Sequence, residues 1–141
     1  MLTAEERFRQ YRWGILAHAC DEAPIGVWEP YCWANNVLRD LPVDDRLEWA
    51  ERAMLELLGE GLIYFCGQPW SGGDPSPPLS SDAAAAVIRG DTWRRIPLKV
   101  AEIWFEATPE GDRRMGLASA AGEWLGEASV APDWPSPPQH E

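Results

Sequence analysis

The 141-residue sequence predicts a mainly helical α+β domain, with about five helices and one two-stranded antiparallel hairpin. Three observations carry that reading. Apolar residues recur at three- and four-residue steps over 3–20 and 44–59, as a half-buried helix requires. Good capping residues open those and later segments. Two short apolar and aromatic stretches, 62–66 and 100–107, have the composition of paired strands. Hydrophobic residues make up 45% and charged residues 25% of the chain, so it has enough apolar surface to fold without a metal or disulfide.

The first helix spans 3–20. Thr3 is the expected N-cap and Glu6 completes a capping box, while Phe8, Tyr11, Ile15 and Ala19 form the apolar stripe. Ala23-Pro24-Ile25-Gly26 ends it. Residues 30–39 read as a shorter helix with Pro30 in its first turn. The third helix, 44–59, is capped by Asp44 or Asp45, and its stripe is Leu47, Ala50, Met54, Leu57 and Leu58. Gly59 and Gly61 bracket its end, and the strand LIYFC follows at 62–66.

Residues 67–80 hold four prolines and three glycines, which makes them a loop. A short Ala-rich helix follows at 81–89, capped by Ser81 or Asp82. In the strand 100–107, Ile103 and Phe105 face one side and Glu102, Trp104 and Glu106 the other; it pairs antiparallel with 62–66. Thr108 and Pro109 then open a last helix to about 125. The domain is expected to span 1–130, with 131–141 a mobile Pro-rich tail.

The formal charge is −11, which disfavours nonspecific binding to nucleic acid or an anionic membrane. No apolar stretch is long enough to span a bilayer, and the polar N-terminus lacks the core of a secretory signal. Cys20, Cys32 and Cys66 are odd in number and irregular in spacing, as in buried thiols of a reducing compartment; the cytoplasm is the expected location. A single lysine, Lys99, with abundant Ala, Pro and Trp, leans toward a high-GC bacterial genome. Most of the nine tryptophans are expected in the core, with one or two exposed as contact anchors.

Two phrases carry a resemblance: LELLGEGLIYF at 55–65 and IWFEATPEGDRR at 103–114. Together, over about residues 30–118, they resemble the winged helix-turn-helix domains of MarR- and PadR-type bacterial regulators. The departure is the wing, where a Pro-rich loop and a small helix lie between the strands. The resemblance implies that the helix at 44–59 holds the recognition-helix position. It also implies that the terminal helices, 3–20 and 108–125, would build a homodimer.

A helix that reads the major groove needs Arg, Lys, Asn or Gln toward the bases and cations near phosphates. Away from its stripe, this one carries Asp45, Glu48, Arg52, Glu56 and, just beyond, Glu60. The expected function is therefore non-enzymatic protein binding, with a basic partner of the kind neutralised by immunity proteins, antitoxins or nucleic-acid mimics. Asp45, Glu48, Arg52, Glu56, Glu60 and Trp70 are its candidate contacts. The alternative is a DNA-binding regulator that uses Asn35, Asn36, Arg94, Arg95 and Lys99. No spacing matches a zinc site, a phosphate loop or a nucleophile-base pair, so no metal, cofactor or catalytic residue is expected.

Overall fold

The computed structural model describes residues 2–67, 77–90, 93 and 103–131. Along these, five α-helices and three short strands run in the order α1 (Ala4–Asp21), β1 (Ile25–Gly26), α2 (Glu29–Val37), α3 (Val43–Gly59), β2 (Ile63–Gly67), α4 (Ser81–Arg89), β3 (Ile103–Ala107) and α5 (Pro109–Ala120). A 3-10 turn at Glu127–Ser129 follows.

The capping box at α1 forms as expected: the Glu6 amide donates to Thr3 Oγ1, and the Thr3 amide donates to the Glu6 carboxylate. Thr108 caps α5 with Pro109 in the first turn. Two caps differ from expectation. At α3 the N-cap is Pro42, and neither Asp44 nor Asp45 caps by side chain; both stand in the first turn, where a negative charge complements the helix dipole. At α4 the cap is Ser80, one residue earlier than expected, its hydroxyl accepting from the Ala83 amide at 3.1 Å. The last helix stops at Ala120 rather than near 125, and Gly122 follows in a left-handed conformation with φ 73°.

The sheet has three strands, not two. β2 and β3 pair antiparallel as expected, with Phe65 opposite Phe105 and Tyr64 opposite Glu106. β1 adds to the other edge of β3, giving the order β1-β3-β2. Two residues are too few to show an alternating pattern, so Ile25-Gly26 reads in sequence only as a helix breaker. Both residues are buried. A Cβ on Gly26 would run into the Trp28 ring, which would have to shift to admit it.

One core joins the helices and the sheet. Phe8, Tyr11, Ile15, Leu16, Ala50, Met54, Leu57, Phe65 and Phe105 are sealed from solvent. Along the α3 stripe, Ala50, Met54 and Leu57 are fully buried and Leu47 and Leu58 partly so; Ala53 joins them. The two central phenylalanines, Phe65 and Phe105, lie 5.1 Å apart between ring centroids. On the other face of β3, Trp104 meets Trp28 edge-on at 5.4 Å. A second close approach fixes α5 under the strand connection. A Cβ on Gly111 would collide with the Leu62 carbonyl, and that same carbonyl accepts the Thr108 amide at 2.9 Å.

Candidate functional site

The charged face expected on α3 divides into two. Asp45 and Glu48 are exposed, as are Asp44 and Val43 beside them; Val43 keeps 52% of its surface. None of the three carboxylates makes an ion pair among the described residues. Arg52, Glu56 and Glu60 are instead drawn into the seam between α3 and α1. Arg52 Nη2 pairs with Glu5 at 2.6 Å and Arg52 Nε with Glu56 at 2.7 Å. Its guanidinium carbon stands 3.9 Å from the Phe8 ring centroid. Arg12 of α1 pairs with Glu60 and lies 3.7 Å from Glu56.

These three residues are thus tied to α1 by ion pairs while keeping part of their surface exposed, whereas Asp45 and Glu48 carry no such pair among the described residues. Helical spacing shows which residues share a face, but not which part of that face a neighbouring helix covers. The Arg52 hydrogen bond holds the Glu5 carboxyl below the usual carboxylate range, and Glu5 in turn holds Arg52 above its usual range.

The remaining α3 arginine is committed as well. Arg46 Nε donates to the carbonyls of Leu38 and Leu41 at 3.0 and 2.9 Å. Its Nη2 reaches the Arg39 carbonyl at 2.9 Å, and Nη1 reaches Asn35 Oδ1 at 3.4 Å. Arg46 therefore satisfies carbonyls at the end of α2 and in the turn that follows. It also occupies Asn35, one of the two candidate base readers. Asn36 is exposed. Trp70, Arg94, Arg95 and Lys99 lie outside the described residues, as do most of the 67–80 loop and the tail from residue 132.

The other cations are divided in the same way. Arg7 clamps α1 to the end of α2 and to the chain after the 3-10 turn: it pairs with Asp40 at 2.6 Å and donates to the Val130 carbonyl at 2.6 Å. The Asp40 carboxyl is lowered by that Arg7 hydrogen bond. Arg113 pairs with Glu110. Arg9 and Arg114 make no ion pair among the described residues.

None of the seven described tryptophans is exposed. Trp13 and Trp93 are buried, and Trp28, Trp33, Trp49, Trp104 and Trp124 are partly buried. The expected exposed anchors are therefore not among the described residues. All three thiols are free. Burial raises Cys20, helped by a hydrogen bond to Asp112, to about 12, and it also raises Cys32 and Cys66. His18 lies edge-on to Trp33 at 4.8 Å, with Nε2 3.4 Å from Glu127. Among the described residues no cluster of three or more His, Cys, Asp or Glu could hold a metal ion. No described helix is long and apolar enough to cross a membrane.

No protein-family model matches this sequence, and no curated protein or solved structure matches it either.

Proposed function

We propose that this chain is a winged-helix-like, non-enzymatic binding module that presents the first two turns of α3 to a cationic surface on a partner protein. The observation that carries the reading is the commitment of both α3 arginines. Arg46 is spent on backbone carbonyls, and Arg52 on Glu5 and Glu56. The helix is left with Asp44, Asp45 and Glu48 exposed and without an ion pair among the described residues, with Val43 as an apolar contact beside them. A face of that sign repels a phosphate groove and steers a basic protein toward it.

The winged-helix part of the reading is supported by the element order, helix-strand-helix-helix-strand-strand-helix apart from the inserted α4, and by the antiparallel order β1-β3-β2. The partner class that fits is a basic toxin or a nucleic-acid-binding protein, met in the cytoplasm. The raised, unpaired thiols suit a reducing compartment.

The test is parallel affinity capture at moderate salt with the native chain and with a variant carrying Asp44→Asn, Asp45→Asn and Glu48→Gln. The expected result is a basic protein retained by the native chain and lost by the folded variant. Equal retention by both would overturn the assignment of this face. Recovery of DNA in place of protein would favour the regulator alternative.

A further inference from the structure

We propose that the pocket between α1 and the segment after α5 binds a phosphate group, either free or as the monoester of a small molecule. The pocket measures about 410 Å³, and three arginines converge on it in a chain of net charge −11: Arg9 and Arg12 from α1 and Arg114 from α5. Arg9 and Arg12 are three residues apart and so share one side of the helix. Trp13 forms the organising surface. It is only 6% exposed, and the guanidinium carbons of Arg12 and Arg114 lie 5.7 and 5.4 Å from its ring centroid.

Stacking holds a guanidinium by its face and leaves its N–H edge free to donate. Arg9 and Arg114 make no direct ion pair among the described residues, although Arg9 acts at longer range on Glu5 and Glu6, and Arg114 on Glu110. Arg12 is committed through Nη1 to Glu56 and Glu60, but its Nε is sealed from solvent with no acceptor.

The wall of the pocket is fixed in advance. Gln10, 7% exposed, donates to the Glu123 carbonyl at 2.8 Å and accepts from the Leu125 amide at 2.9 Å, which staples the chain after α5 onto α1. The carboxylates of Glu6 and Glu123 also line the pocket. Glu6 is occupied by the Thr3 amide. Arg12 is already balanced by Glu56 and Glu60, so the pocket's own charges are Arg9 and Arg114 against Glu6 and Glu123, and an anion is bound weakly and with strong salt dependence. Phosphate suits the site because its charge and oxygen geometry accept from several planar arginine forks at once. The volume exceeds that of a bare phosphate, and Leu2 and Leu125 flank the space an ester would fill.

The experiment is calorimetric titration of the full chain at low salt with phenyl phosphate and with inorganic phosphate, and with benzyl alcohol as the uncharged control. Saturable binding of either phosphate is expected, with none of the alcohol. Arg9→Gln and Arg114→Gln should each weaken binding about tenfold. Arg113→Gln removes the same charge from the neighbouring position, outside the pocket and paired to Glu110, and should leave binding unchanged. Arg9 is exposed, so its variant reads the site even if Arg114→Gln disturbs packing on Trp13. Three results would each overturn the proposal: no saturable heat with either phosphate, equal binding of the alcohol, or equal losses in the Arg113 and Arg114 variants.

Discussion

The first two turns of α3 and its last two turns carry the same kind of charge in different surroundings. At the start, Asp44, Asp45 and Glu48 stand in solvent without a counter-ion among the described residues. At the end, Glu56 and Glu60 are neutralised by Arg12 across the α1 seam, and Arg52 bridges from Glu56 to Glu5. The difference comes from what packs alongside. α1 runs past the later turns with its arginine-bearing side, while Arg46 ties the earlier turns only to uncharged groups. A carboxylate on a helix is thus an available binding group or a structural one according to its neighbour, and net charge along the helix does not distinguish the two.

Substitutions can break this comparison at several strengths. The largest effect is expected from Met54→Ala, which empties part of the core beneath both halves. It should cost about 2–5 kcal/mol in chemical denaturation. Next comes Gly111→Ala, where the new Cβ meets the Leu62 backbone instead of a side chain that could move aside. About 1–3 kcal/mol is expected from the same measurement. Arg46→Ala leaves the carbonyls of Leu38, Arg39 and Leu41 without their charged donor. It should cost about 2 kcal/mol, against about 1 kcal/mol for the more exposed Arg52→Ala.

The smallest effect on stability belongs to Asp45→Asn and Glu48→Gln, within about 0.5 kcal/mol of the native chain. Their effect should fall on partner binding instead. An equal stability loss at Glu48 and Arg52 would erase the distinction between the two halves.

Acid sharpens the same contrast. Asp40 and Glu5 are held below their ordinary values of 3.8 and 4.5 by Arg7 and Arg52. A carboxyl with a lowered folded-state pKa contributes stability in full above its unfolded value and loses it as pH falls through the folded one. The thermal midpoint should therefore not respond to these pairs from neutrality down to about pH 5, and should fall below about pH 4. Asp40→Asn should flatten part of that acid limb.

Much of the helical fold was legible in the sequence because caps and apolar spacing are local signals. Thr3 with Glu6, Thr108 with Pro109, and the stripe Ala50, Met54 and Leu57 all appear where their chemistry requires. The pairing of β2 with β3 followed from two matching apolar segments. The third strand did not, because two residues have no period and Ile25-Gly26 is held by its partner β3 and by the Trp28 ring above it. At the candidate site, sequence identified the carboxylates but not their counter-ions. Arg12 is far along the chain from Glu56 and Glu60, and only packing brings them together. The arginine pocket was hidden for the same reason, since Arg9 and Arg12 meet Arg114 through the docking of α5 on α1.

The most direct test of the protein-binding account is fluorescence anisotropy of mixed-sequence duplex DNA titrated with the full chain at low salt, where attraction to phosphate is least screened. The account predicts no binding, because α3 offers no uncommitted arginine and an outward acidic end. A saturable signal that falls steeply as salt rises and persists in the Arg9→Gln and Arg114→Gln variants would contradict it and make the regulator reading the better one.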